Sequence, residues 1–301
     1  EKYEFKRLKE IKKDDKKKCG ECERYLCRLH INDHTCKSGE PVGLWRDASN
    51  AHYLGDEKLA QEIKIPWLIG VELEAVNGDP YLLHQKLDGK IGFSHDGSLM
   101  GRAPIEMQLP PASNDKLEKL IKHVTRVSRN AGYKINKSCG MHIHLDATNY
   151  RNDIGYISKL LATYYAIEPV IFAMLPTSRR DNKYALPLRS WINEAKMLDL
   201  TRRPLPDINA LQVMWYKSRN LEDAERFKNS RRSGQFDPNP SRYHGFNLHA
   251  CFTNGTVEMR YFNGTLNRDK IVNWINIHLT IFDWVKGKFD QNVIDAIFFC
   301  E

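Results

Sequence analysis

Hydrophobic positions recur at helical spacing in three long stretches. In NDKLEKLIKHVTRVSRNAG, residues 114–132, Leu117, Leu120, Ile121, Val124, Val127 and Ala131 share one face, with Asn114 able to cap the start and Gly132 the end. Residues 152–175, NDIGYISKLLATYYAIEPVIFAML, predict a more uniformly apolar helix, kinked at Pro169. Residues 267–287 predict a last helix that starts at an Asn267 cap, buries Ile271, Trp274, Ile275, Leu279 and Phe282, and stops at Gly287. Between them lie short runs of strand character: PWLIGVELEAV, two pieces within GKIGFSHDGSLMGRAPIEMQLPPAS, CGMHIHL, GFNLHACF and GTVEMRYFN. Residues 176–244 are irregular and basic, with one helix expected over about 208–229. Strands joined by long helical connections give an α+β fold.

Side chains alternate faces along a strand. Glu72 and Glu74 therefore share a face in VELEA, with Val71, Leu73 and Ala75 on the other. The same rule pairs Glu106 with Gln108, His142 with His144, and Glu258 with Arg260. A sheet with one wet face also alternates, but wet faces carry mixed Lys, Thr and Ser. Here the polar set is carboxylates, imidazoles and one guanidinium. Carboxylates cannot gather on one concave surface without cations to neutralise them, and oxygen ligands with an imidazole suit Mg²⁺ or Mn²⁺.

Charge changes the picture locally. Of a net +8, fourteen Lys and Arg against eight Asp and Glu fall between Ser178 and Gly245, a region suited to phosphates or acidic substrates. The first forty residues hold a second pattern, CGECERYLCRLHINDHTC, with Cys19, Cys22, Cys27, His30, His34 and Cys36. That density of thiols and imidazoles in a segment too short for its own core fits a structural Zn²⁺ site. Cys19 and Cys22 supply two ligands, and two more come from the other four. The organisation expected is a basic arm and zinc knuckle over 1–40, a linker over 41–66 and a catalytic domain over 67–301. The charged start lacks an apolar segment, and no apolar run reaches the roughly 18 residues of a membrane span. The expectation is a cytoplasmic protein with no membrane partner.

The motifs GVELE, DGSL followed by IEMQLPP, CGMHIHL and TVEMRYFNGTLN, in that order over residues 67–285, resemble the amidoligase family. That family belongs to the glutamine synthetase and glutamate–cysteine ligase superfamily of carboxylate–amine ligases. The resemblance implies a curved antiparallel sheet forming a funnel, with ATP at one end and Mg²⁺ or Mn²⁺ bridging its phosphates to sheet carboxylates. It implies Glu72, Glu74, Glu106, His142 and Glu258 as metal ligands, His144 near the nucleotide, and Arg260 as the cation meeting the transferred phosphate. Asp96 and Ser98 fall in a loop expected to touch substrate; Arg242 and Asn247 are expected to contact substrate or phosphate. The activity implied is amide formation between a carboxylate and an amine through an acyl phosphate, with a free amino acid, a peptide, a protein or a modified nucleobase all open as substrate.

Two other classes stay open. The carboxylate and histidine cluster would also serve a metal-dependent hydrolase, and the knuckle with its positive charge would serve a nucleic-acid or protein-binding module. There is no Walker P-loop and no GxGxxG, so no independent nucleotide motif adds to the reading. For Cys139 no base is identifiable, and it reads as a turn residue, not a nucleophile.

Overall fold

The computed structural model describes residues 67–87, 89–112, 114–147, 153–229 and 240–299, and the backbone of 16–18 and 25–27. The chain divides into two compact units, Glu1–Ala51 and His52–Glu301. In the first, β1 (Lys16–Lys18) pairs antiparallel with β2 (Tyr25–Cys27), where a basic arm was expected. Cys19, Cys22, His30, His34 and Cys36 lie outside the described residues, as does the side chain of Cys27.

The second unit is α+β. Its strands are β3 (Ile69–Ala75), β4 (Gly92–Ser94), β5 (Ile105–Ala112), β6 (Gly140–Asp146), β7 (Phe246–Asn247) and β8 (Thr256–Asn263). They form an open antiparallel sheet in the order β4-β5-β3-β6-β8-β7. The helices are α1 (Pro80–Leu87), α2 (Asn114–Asn130), α3 (Ile154–Met174), α4 (Thr177–Arg180), α5 (Glu194–Arg202), α6 (Ile208–Trp215), α7 (Leu221–Asn229), α8 (His249–Thr253), α9 (Arg268–Gly287) and α10 (Gln291–Phe299).

One face of the sheet is the core. Val71, Leu73, Met107, Met141, Ile143, Val257 and Met259 all point into it and are fully buried, each burial contributing roughly 1.5–3 kcal/mol before entropy is counted. Helix α2 places Leu117, Ile121, Val124 and Val127 in the core, as its periodicity requires. Helix α3 brings the Tyr164 ring to 4.5 Å from Phe246, and α9 brings Trp274 to 4.4 Å from Phe262 and Phe282 to 5.5 Å from Trp67. Against the expectation that no apolar run reaches span length, helix α3 is long and apolar enough by length and composition to cross a membrane; most of it is buried inside this unit. It runs unbroken through Pro169. The Asn267 cap of α9 forms as expected, its side chain accepting from the backbone N–H groups of Asp269 and Lys270.

Three elements differ from the pattern. Helix α10 follows α9, which was expected to be the last helix. GFNLHACF contributes only the two residues of β7 before turning into α8, because the Asn247 side chain accepts the His249 N–H at 2.9 Å and starts a helical turn. The single helix expected over 208–229 is two, α6 and α7, separated at Lys217, whose φ of +51° ends α6.

Candidate metal and phosphate centre on the polar face of the sheet

Strand register aligns the polar residues in rows. Gln108, Glu72 and His142 lie side by side across β5, β3 and β6. Ser94, Glu106 and Glu74 form the neighbouring row across β4, β5 and β3. His144, Glu258 and Asn247 form a third across β6, β8 and β7. Glu72, Glu74, Glu106, His142, His144, Glu258 and Arg260 thus converge, as alternation predicted. Glu74, His142 and Glu258 are each buried to about 5% exposure or less, which an ordinary wet face would not do.

The row containing Arg260 depends on a β-bulge. Met141 pairs with Phe262 while Ile143 pairs with Met259, so Arg260 and Tyr261 together oppose His142. Strict alternation fails there: Tyr261 and Phe262 both turn into the core, and Arg260 stays on the polar face. Arg179, from α4, holds the bulge. Its Nη2 donates to the Arg260 carbonyl at 2.8 Å and its Nε to the Tyr261 carbonyl at 3.1 Å. From the core side, the Tyr261 hydroxyl donates to Glu168 Oε1 at 2.9 Å.

Glu258 is gripped at both oxygens: Arg260 Nη1 donates to Oε1, and Asn247 Nδ2 donates to Oε2 at 2.6 Å. Burial opposes its charge, but Arg260, then His144 and His142, hold its carboxyl down at about 2. Burial likewise opposes the charge on Glu72, and the hydrogen bonds and charges of His142 and His144 outweigh it, keeping the carboxyl far below the usual range. Glu106 goes the other way: burial, then the nearby Glu72 charge, raise it, although Ser94 Oγ (2.6 Å) and Gln108 Nε2 (2.8 Å) donate to its Oε1. One carboxyl in the cluster is therefore a poor anion on its own, which is what crowding of like charges produces.

The histidines settle into distinct arrangements. His142 Nδ1 donates to Glu72 Oε2 at 2.9 Å, which leaves Nε2 facing Glu74, 3.9 Å from its Oε1. His144 Nδ1 meets Thr256 Oγ1 at 3.0 Å. Its Nε2 is buried and lies 3.4 Å from Glu72 Oε1 and 3.9 Å from Glu258 Oε1. A buried ring nitrogen between two carboxylates calls for a positive charge, either its own proton or a cation. The two carboxylates raise its pKa against the effect of burial, and the donor set suits a cation equally well.

Among the described residues, three groups offer ligand atoms within 4.8 Å of one another: Glu72, Glu106 and His142; Glu72, His144 and Glu258; and Glu74, Asp96 and Glu106. The set is carboxylate oxygen with imidazole nitrogen, the chemistry of Mg²⁺ and Mn²⁺ sites. The residues present therefore fit divalent ions.

Asp96 reaches this cluster, its Oδ1 also accepting the Ser98 N–H at 2.7 Å. Asn247 joins through Glu258. Arg242 lies outside the rows of the sheet, in the 3₁₀ turn Pro240–Tyr243, with its guanidinium over the Tyr243 ring at 5.4 Å. Sequence reasoning passed over Arg179, Gly140 and Thr256. Arg179 is one of fourteen cations in the basic stretch and has no periodic signal. A Cβ on Gly140 would come 3.1 Å from Arg179 Nη2, 3.2 Å from Glu74 Oε2 and 3.3 Å from His142 Nε2, so the glycine leaves room for three site groups to converge. Its N–H also donates to Glu74 Oε2. Burial pushes the Cys139 thiol up, which agrees with a packing role.

The polar face of this antiparallel sheet thus gathers four glutamates, two histidines and two arginines, a set that could hold a metal ion. The model of the family described as "putative amidoligase enzyme" matches residues 66–282, a span containing every strand of the sheet. The chain belongs to this amidoligase family. No curated protein matches the chain. Membership suggests an amide-bond ligase, and it implies carboxylate and amine substrates.

Proposed function

We propose that the protein is an ATP-dependent carboxylate–amine ligase with a glutamine-synthetase-like site, working through an acyl phosphate. The observation that carries the reading is the gathering of Glu72, Glu74, Glu106, Glu258, His142 and His144, with Asp96, into groups that could each hold a cation, beside an Arg260 already fixed by Glu258. Bound Mg²⁺ or Mn²⁺ would supply neutralisation of phosphate charge, held by Glu72, Glu74, Glu106, His142 and Glu258. Arg260, pinned through its backbone by Arg179 and Gly245 and through Nη1 by Glu258, is the preorganised cation for a transferring phosphoryl group. A carboxylate is a poor electrophile; its acyl phosphate has a good leaving group that an amine displaces. The depth of the site, with Glu258 and His142 almost fully buried, serves to exclude water from that intermediate. The acid is a free amino acid or part of a peptide or protein. The Cys/His segment is a structural zinc module, and the protein acts in the cytoplasm.

Purified protein with ATP and Mg²⁺ should release ADP and phosphate only when both a carboxylate and an amine are supplied. Cleavage of an amide without ATP would replace this reading with the hydrolase. Zinc content near zero by elemental analysis would remove the zinc module and leave the ligase intact.

A further inference from the structure

The connection between α4 and β7 holds a second concavity, none of whose walls belongs to the acidic face. It has a volume of about 430 Å³ and is lined by Arg189, Trp191, Asn193, Lys196, Met214 and Lys217 among others, a size typical of small-molecule sites. Among the described residues, three cations and no acid line it. Glu194 pairs with Arg189 at 3.6 Å, but both side chains are about 40% exposed and the pair is weak.

Lys217 is the informative residue. It sits at φ +51°, just past the end of α6, where its N–H donates to the Met214 carbonyl and the Ser218 N–H to the Val213 carbonyl. That is the turn in which glycine is favoured and a side chain strains the backbone. What the lysine adds is an ammonium 3.9 Å from the Trp191 ring centroid, on the cavity wall. Trp191 is fixed in turn: its Nε1 donates to the Trp215 carbonyl at 2.9 Å, and its ring packs on His244 at 5.1 Å. The fixed Trp191 ring gives the cavity a defined apolar floor, with Lys217 held over it and the three exposed cations at its rim.

We propose that this cavity binds a small multivalent anion bearing carboxylate or phosphate groups, held by Arg189, Lys196 and Lys217 over Trp191. The strap forming it also reaches the acidic face. The Tyr184 carbonyl accepts from Arg260 Nε at 3.4 Å, and the carbonyl of Gly245, next to His244, accepts the Arg260 N–H at 2.7 Å. An anion in the cavity would thus order the segment that buttresses Arg260. The proposal stands independently of the ligase reading.

The test uses the full chain in EDTA, so that anions do not bind through divalent ions. Inorganic pyrophosphate and tricarballylate are titrated separately, by calorimetry and by tryptophan fluorescence. Saturable binding of either supports the site, and which of the two binds tells phosphate from carboxylate. Lys217→Gly should weaken that binding about tenfold, roughly 1.4 kcal/mol, while leaving the thermal midpoint unchanged or raised, because glycine suits the turn. Lys196→Gln, exposed and outside the turn, should weaken it in the same direction. Binding of neither anion, or binding that both substitutions leave unchanged, would overturn the proposal.

Discussion

Arg179 is the residue on which the account makes its sharpest energetic demand. Its guanidinium is 4% exposed and makes two hydrogen bonds to carbonyls of the β8 bulge, at 2.8 and 3.1 Å. Burial and the neighbouring Arg260 charge lower its pKa to about 10 against the pull of Glu74, so it remains charged at neutral pH. Arg179→Met keeps much of the volume but leaves the Arg260 and Tyr261 carbonyls without that donor and Glu74 without a counter-charge. Hydrogen bonds from a charged donor contribute roughly 1.5–3 kcal/mol each. Two of them, offset in part by no longer desolvating a guanidinium, give an expected loss of about 3 kcal/mol. Urea denaturation followed by circular dichroism measures it, with the slope of the transition required to match the parent so that the change is one of stability. Arg179→Lys, which can satisfy one carbonyl and keep the charge, should recover about half. A loss below about 1 kcal/mol for the methionine variant would show that the bulge holds its shape without Arg179, and that the site's geometry has another source.

Burial lifts the Glu168 carboxyl from 4.5 to about 8. The native state therefore holds this proton more tightly than the unfolded chain, so the stability it contributes is fully present below pH 4.5 and is lost as pH rises through about 8. Urea midpoints measured from pH 5 to 9 should fall across that window, and Glu168→Gln should flatten the fall; an equally steep decline in the variant would remove Glu168 as its cause. Gly140→Ala places a methyl 3.1–3.3 Å from Arg179, Glu74 and His142. It should fold normally yet bind Mn²⁺ about tenfold more weakly by electron paramagnetic titration, and unchanged affinity would separate Gly140 from the metal centre. Glu258→Gln removes a charge held at about 2 by Arg260 and two histidines. ATP turnover with both substrates should drop by at least about a hundredfold with the fold intact by near-ultraviolet dichroism, and retained turnover would contradict the site map.

Alternation made most of the site legible. Glu72 and Glu74, Glu106, His142 and His144, and Glu258 each sit at period-two positions in strands whose apolar partners are equally clear, and the sheet places them together. What alternation cannot show is where it breaks. The bulge at Arg260 and Tyr261 comes from pairing with β6 and from Arg179, a contact 81 residues away in sequence for the Arg260 carbonyl. The residues between α4 and β7 were equally opaque. Their helices are short and capped by side chains such as Asn193 and Asp207. The break between α6 and α7 falls on a lysine, where glycine would have announced it.

The central claim is that the acidic face binds ATP through divalent ions. Calorimetric titration of the protein with ATP at millimolar Mg²⁺ or Mn²⁺ tests it most directly. The account predicts saturable binding that disappears in EDTA and is lost in the Glu72→Gln, Glu258→Gln double variant. Absence of binding at every metal level, or binding indifferent to both EDTA and the double substitution, would contradict it.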